Sequence, residues 1–108
     1  MFINKVYHNG AMKFRADKDS LGEVKIPYNV YYGAFTARAL KQYKVTGIKS
    51  HENLVRAYAM IKRSAALANV QLKKLDSKKG NAIVKACDEI LDGSLMDQFV
   101  VDAINSGA

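Results

Sequence analysis

Tryptophan is absent from this sequence of 108 residues, and cysteine and proline each occur only once. Because Cys87 is the single cysteine, no disulfide can form within the chain, and the fold must depend on buried apolar surface. No apolar run approaches the ~20 residues that a helix needs to cross a membrane. The first residues also lack the sustained apolar segment of a signal peptide. We therefore expect no membrane association and a location in the reducing cytoplasm.

Acidic residues are few, since 10 aspartates and glutamates face 17 lysines and arginines, which gives a formal net charge of +7. Such an excess is compatible with an anionic partner, and a stand-alone basic helical module that binds nucleic acid is an alternative function. The basic residues are scattered along the chain, however, and no groove-reading motif accompanies them. The preferred interpretation is a solvated basic surface without a nucleic-acid partner.

Motifs of cofactor and metal chemistry are also missing. The sequence contains no GxGxxG, no phosphate-binding loop and no cluster of cysteine and histidine with zinc spacing. His8 and His51 are the only histidines, and both are interpreted as structural. Cys87 falls on the apolar face of a predicted helix and is interpreted as a small core residue. We expect neither a cofactor nor a metal ion.

The pattern of apolar residues predicts a mainly α fold with a small N-terminal β ribbon. Helices are predicted over residues 29–43, 50–75 and 77–91, with Asn29, Ser50 and the Asp76-Ser77 pair as caps. The short link between the last two predicts an antiparallel hairpin. The long helix carries one apolar row at alternating steps of four and three, which we expect the rest of the chain to cover. This row comprises Leu54, Tyr58, Ile61, Ala65, Ala68, Leu72 and Leu75.

The N-terminal half predicts the ribbon and the domain limits. Residues 12–16 and 23–26 alternate between apolar and polar side chains around a polar turn, which is typical of a hairpin. Residues 1–11 show no clear period and are interpreted as a flexible extension. Residues 12–108 are then one domain. This domain ends at residues 105–108 without a finishing element, so we expect a truncated one.

Five segments in series resemble signature motifs of the aspartase/class II fumarase family. They are RADKDSLG at residues 15–22, which Ile26-Pro27 follow, YYGAFTARA at 31–39, KRSAALAN at 62–69, AIVKACDEIL at 82–91 and DQFVVD at 97–102. Each motif alone is modest, but together they span residues 13–108 in the family order. The resemblance implies the helical N-terminal domain of a longer homotetrameric enzyme whose central helical and C-terminal domains are absent here.

The resemblance also implies the chemistry. In the aspartase branch, which DQFVVD favours, a base removes a proton from L-aspartate and ammonia leaves to give fumarate. In the family that base is a serine on a mobile loop, and a threonine loop that contacts substrate follows the position of residue 108. We therefore expect no catalytic residue in this chain, no activity from it alone, and a monomer or a weakly associated species. The alternative within the family is a class II fumarase, which adds water.

Arg38 is the one charged residue of these motifs that the sequence offers as a candidate for substrate binding. A structural ion pair on a helix is the alternative role, and the sequence favours it. Ser106 and Phe35 depart from residues common in the family, which leaves the fine substrate assignment open.

Overall fold

The chain divides into two compact units in the computed structural model, one formed by residues up to Lys49 and from Val100 onward, the other by Ser50–Phe99. The structure describes residues 6–10 and 12–104, with the backbone only for residues 6–9. In these residues, three strands precede three α-helices and a short 3-10 helix (Met96–Gln98), which confirms the mainly α fold with an N-terminal ribbon. No described helix is long and apolar enough to cross a membrane.

The first unit contains an antiparallel sheet in the order β1-β2-β3 and one helix. Its elements are β1 (Val6–Asn9), β2 (Met12–Asp19), β3 (Gly22–Pro27) and α1 (Ala34–Gln42). Val24, Ile26, Ala34 and Ala37 form the buried core between β3 and α1, and Val30 and Tyr32 pack against them. The predicted ribbon is thus real and is packed on a helix.

Strand β1 corrects the predicted flexible extension, residues 1–11, at residues 6–9. Val6–Asn9 pairs with β2 from the Val6–Arg15 pair to the Asn9–Met12 pair. A two-residue connection joins the strands, and Gly10 adopts a φ of 63°, as the tight hairpin turns with positive φ require. The glycine of the Asn9-Gly10 pair was the available signal, because glycine at the first position of a two-residue hairpin loop is typical of these turns. Residues 1–5 and 11 lie outside the described part.

Helix α1 begins five residues later than the sequence predicts, at Ala34 instead of residue 29. Asn29 therefore does not cap it, and Gly33 occupies the N-cap without any side-chain cap of its own. The reason is a long-range contact between Arg15 and the backbone of residues 27–32, which holds this segment in a non-helical path.

The second unit is an antiparallel helical hairpin of α2 (Glu52–Gln71) and α3 (Ser77–Leu91). The bounds of α3 and its Asp76 cap, which accepts a hydrogen bond from Lys79 N at 3.1 Å, are as predicted. Helix α2 is shorter than predicted at both ends. Its cap is His51, whose Nδ1 accepts from Asn53 N at 3.1 Å, and not Ser50.

Helix α2 contacts α3 through a different row from the one that the sequence favours. Val55, Ala59 and Ala66 are the buried residues of α2. Arg63, in the same row, pairs with Asp88 of α3 at 2.7 Å. The predicted row is instead exposed, with Leu54 at 52%, Tyr58 at 60%, Ile61 at 64% and Leu72 at 66%. The expectation that this chain covers the row is wrong from Leu54 to Leu72, because Ala59 and Ala66 of the other row let α3 approach closely on that side. Leu75, the last member of the predicted row, is half-buried.

Gly80 shows how close that approach is. A Cβ atom on Gly80 would overlap Val70 Cγ2 and lie 3.5 Å from Leu75 Cδ2. Alanine gains about 1 kcal/mol of helix propensity over glycine. The overlap outweighs this gain, so Gly80→Ala is expected to lower the free energy of unfolding by about 1–3 kcal/mol.

A double-mutant cycle in urea unfolding checks the Gly80 prediction. In a Val70→Ala background the space is free, and Gly80→Ala should be neutral or stabilising by up to about 1 kcal/mol. A cost that is the same in both backgrounds would contradict the close approach of α2 and α3 at this point.

Candidate functional site

Three charged residues, Arg15, Asp17 and Asp19, occupy alternate positions of β2 and so lie on one face, the face directed toward the core. Arg15 lies opposite Ile26 and Asp17 opposite Val24, and directly opposed residues of antiparallel strands share a face. Ile26 is fully buried and Val24 is 6% exposed. The face carries charge where the binary pattern would place apolar side chains, so each charge needs a partner.

Arg15 binds the backbone of the segment that leads into α1. Its Nη1 donates to Pro27 O at 3.0 Å and Val30 O at 2.8 Å, and its Nη2 donates to Tyr32 O at 2.8 Å. A guanidinium presents several donors in a rigid plane, so one side chain can satisfy several carbonyls of an irregular segment. This contact holds residues 27–32 out of a helix.

Asp17 determines where α1 begins. Its Oδ2 accepts a hydrogen bond from Ala34 N at 2.9 Å, which satisfies a donor that a helix leaves unpaired in its first turn. A carboxylate at this end also suits the helix dipole. The cap thus comes from a strand 17 residues earlier in the chain, which explains why local sequence misplaced the helix start.

Arg38 forms the third contact, with Asp19. Its Nε donates to Asp19 Oδ2 at 2.6 Å and its Nη2 to Asp19 Oδ1 at 3.0 Å, a bidentate geometry. The hydrogen bond from Arg38 holds the pKa of Asp19 below its usual value. The structure therefore places the one candidate for substrate binding in an ion pair within the first unit.

These contacts join two of the five motifs into one physical unit. The alternate residues of RADKDSLG bind the backbone or side chains of the segment from Pro27 to Arg38, which includes YYGAFTARA. One motif thus holds the other in position. Sequence reasoning used them as separate markers and missed the contact.

Gly33 is required by the same arrangement. A Cβ atom at this position would lie 2.8 Å from Asp17 Oδ2. Gly33→Ala is therefore expected to lower the free energy of unfolding by about 2 kcal/mol, through loss of the Asp17 cap or displacement of α1. Close packing at Gly33 was predicted and is confirmed, although the residue precedes the helix instead of lying inside it.

Chemical denaturation of four variants checks the Gly33 prediction. Once Asp17→Ala has removed both the cap and the obstacle, Gly33→Ala should cost less than about 0.5 kcal/mol. An undiminished cost in that background would show that the carboxylate is not the obstacle.

Asp102, the last residue of DQFVVD, is a second residue of the first unit at which several hydrogen bonds meet. Its Oδ2 accepts from Thr46 N at 2.7 Å and Gly47 N at 2.8 Å. Its Oδ1 accepts from the Thr46 hydroxyl at 2.9 Å and from Ile104 N at 2.8 Å. Beside this carboxylate, Ala103 N donates to Ile48 O at 2.7 Å. Asp102 thus fastens residues 102–104 to the 46–48 loop.

The electrostatics of Asp102 follow from these donors. The hydrogen bond from Ile104 N, with those from Thr46 and Gly47, lowers the pKa of Asp102 far below its usual value and overcomes the opposing effect of desolvation. Asp102 is 7% exposed, and among the residues that the structure describes it is the one buried polar or charged residue. A carboxylate whose oxygens accept four hydrogen bonds is a structural anchor and not a proton acceptor.

A cleft of about 430 Å³ lies beside this anchor. Its walls come from the end of α1, the 43–49 connection and Val100 with Asp102. Lys44 and Lys49, both exposed, supply its positive charge. Asp102 is the one carboxylate among the lining residues of this cleft, and its oxygens already accept four hydrogen bonds.

The other residues considered for chemistry have structural places. Cys87 is 3% exposed, which confirms it as a core residue. His51 caps α2, and the side chain of His8 lies outside the described part. Among the described residues, no group of three or more His, Cys, Asp or Glu side chains is arranged to hold a metal ion.

Comparison with known proteins supports one family. The family model described as Lyase matches residues 22–108. Aspartate ammonia-lyase of Bacillus subtilis is 49% identical over 100 residues, which cover 93% of this chain and 21% of that protein. Class II fumarate hydratase of Campylobacter jejuni is 42% identical over 97 residues, 90% of this chain and 21% of that one. The chain belongs to the aspartase/class II fumarase family of lyases.

A solved structure supports the same assignment. The fumarate lyase:delta crystallin of Brucella melitensis bound to cobalt superposes with a TM-score of 0.81 at 46% identity. The match covers 88% of this chain and 21% of that one. The chain therefore spans about a fifth of the length of the relatives that it matches.

Proposed function

We propose that the protein to which this chain belongs catalyses the reversible elimination of ammonia from L-aspartate to give fumarate. The observation that carries the proposal is the 49% identity with an aspartate ammonia-lyase over 93% of the chain. The DQFVVD segment supports it, because it resembles the aspartase form of that motif. Class II fumarases are similar at 42%, so the hydration of fumarate is the second candidate.

In the proposed elimination, a base removes a proton from the carbon next to the side-chain carboxylate. The resulting dianionic intermediate holds the electron pair on the side-chain carboxylate, and the pair then forms the carbon–carbon double bond as ammonia leaves with the electrons of the carbon–nitrogen bond. Donors must already surround the dianionic intermediate when charge develops. Arg38 is engaged by Asp19, and the Asp102 carboxylate is engaged by four donors. Their proposed contribution is to position the segments that supply the base and the donors.

The further parts of this proposal follow from the family resemblance. We propose that the full-length protein is a cytoplasmic homotetramer that acts on a small dicarboxylate and binds neither nucleic acid nor a membrane. The 108 residues alone are proposed to be inactive and monomeric or weakly associated.

Assays of the longer protein encoded by the reading frame that contains this chain test the proposal. Fumarate formation from L-aspartate, followed by ultraviolet absorbance, should exceed formation from L-malate. A preference for L-malate would replace the first candidate with the second. Ammonia release by the purified 108-residue chain would refute the expected inactivity, and tight, salt-sensitive DNA binding would favour the nucleic-acid module instead.

A further inference from the structure

A second cleft, of about 360 Å³, lies in the first unit next to the 430 Å³ cleft beside Asp102. Leu40 and Lys44 line both clefts, so the two adjoin along the end of α1. Ligand sites in proteins typically have volumes of roughly 300–1,000 Å³. We call the continuous surface of the two clefts the α1 groove.

The floor of the α1 groove is largely apolar. Leu40, which the clefts share, is half-buried. The larger cleft adds Tyr43 and Ile48, and the smaller one adds Tyr32 and Ala37. A ligand that covers these side chains removes apolar surface from water, which favours binding. Because the floor is divided into two clefts, a fitting ligand carries two apolar groups.

The charged residues of the groove are mostly of one sign. Lys44 lines both clefts, Lys49 lines the larger one, and Lys25 and Lys41 line the smaller one. Asp102 is the one acidic residue among these lining residues, and its oxygens already accept four hydrogen bonds. A cleft lined by one sign of charge concentrates the electrostatic field and attracts ligands of the opposite sign. The α1 groove therefore favours an anionic ligand.

The position of Lys44 favours a polypeptide among anionic ligands. Because Lys44 lines both clefts, it lies between two apolar sites. Residues i, i+2 and i+4 of an extended segment share one face, so an acidic residue between two apolar ones presents the matching pattern. No arginine occurs among the described lining residues, although arginine is the residue best suited to phosphate and nucleic-acid recognition.

We infer that the α1 groove binds an acidic peptide segment of a partner protein, with an apolar side chain in each cleft and a carboxylate against Lys44. Recognition of acidic motifs by clusters of basic side chains is a recurring mode of peptide binding. Such a segment differs in kind from the small dicarboxylate of the proposed reaction, so the inference does not rest on the proposed function.

Fluorescence polarisation with a labelled peptide tests the inference on the longer protein encoded by the reading frame that contains this chain. The probe alternates leucine and glutamate. One control peptide replaces each leucine with serine, and a second replaces each glutamate with glutamine. The probe should bind at an ionic strength of about 0.15 M. Each control peptide should bind at least about tenfold more weakly, because it lacks either the apolar groups or the charge.

Lys44→Glu tests the groove itself, and Lys78→Glu, at an exposed position of α3 in the second unit, is its matched control. Both substitutions change the net charge equally. Lys44→Glu should weaken binding of the probe at least about tenfold, and Lys78→Glu less than about twofold. Lys44→Gln, with an expected loss of about fivefold, replaces the first variant if that variant fails to fold.

The other outcomes would overturn the inference. Absence of binding by the longer protein is one, and equal binding of the probe and a control peptide is another. Equal losses from Lys44→Glu and Lys78→Glu would show attraction by net charge alone. Tighter binding of a single-stranded oligonucleotide than of the probe would assign the groove to nucleic acid. Lyase activity on L-aspartate is measured separately on the unsubstituted longer protein, so failure of the proposed function is distinguishable from failure of this inference.

Discussion

Replacing Arg15 with lysine is expected to lower the free energy of unfolding by about 3 kcal/mol, a large share of the stability of a small domain. The guanidinium donates from two nitrogens to the carbonyls of Pro27, Val30 and Tyr32. A lysine ammonium keeps the charge but cannot reach carbonyls spread over six residues at once. The irregular segment that precedes α1 would then lose the contact that holds its path.

Urea unfolding of Arg15→Lys measures this effect, and hydrogen exchange of α1 locates it. Lys13→Gln is the matched control, because Lys13 lies on the same strand and is exposed. The control should change the free energy of unfolding by less than about 0.5 kcal/mol. If Arg15→Lys were as mild as the control, the charge of Arg15 would matter and its hydrogen-bond geometry would not.

Asp102→Asn should have the second large effect, a fall in Tm of about 10 °C. The carboxylate accepts four hydrogen bonds. The donors are the backbone N and the hydroxyl of Thr46, the backbone N of Gly47 and the backbone N of Ile104. An amide has one oxygen, so its NH₂ group would face donors that it cannot satisfy. The 46–48 loop and residues 102–104 should lose protection from hydrogen exchange together. Asp97→Asn, an exposed aspartate of the same motif, is the control.

The stability of the folded chain at acidic pH should depend on Asp102. Its pKa is lowered in the folded state by the hydrogen bonds of Ile104 N, Thr46 and Gly47. The unfolded chain titrates near the ordinary value of about 3.9. Below that pH the unfolded state binds more protons, so the contribution of Asp102 is complete above about pH 4 and is lost as the pH falls toward the folded pKa. Thermal unfolding at a series of pH values should therefore show a shallower acid decline for Asp102→Asn than for the unmodified chain.

Local patterns predicted α3 and the helical hairpin of the second unit well, and the start of α1 in the first unit less well. Helix α3 and its Asp76 cap followed from capping residues and apolar period, which depend on neighbours within four residues. Helix α1 began late because its cap is Asp17, and the anchor of the DQFVVD segment binds Thr46, which is 56 residues away. Local spacing cannot identify Asp17 as the cap of α1 or Thr46 as the partner of Asp102, because each lies far away in sequence. The Asp102–Ile104 contact, at two residues, is the part of that anchor with a local signal.

The sequence by itself determined the fold class, the α2–α3 hairpin and the family, because periodicity, caps and motif order are properties of the linear chain. Tertiary structure alone decided which row of α2 is buried. Two apolar rows compete on that helix, and Gly80 with the small side chains of the inner row lets α3 approach closely on that side. Tertiary structure also decided that Arg38 pairs with Asp19 and that Arg15 and Asp17 shape the start of α1. These contacts join residues far apart in sequence, and only the folded chain brings them within hydrogen-bonding distance.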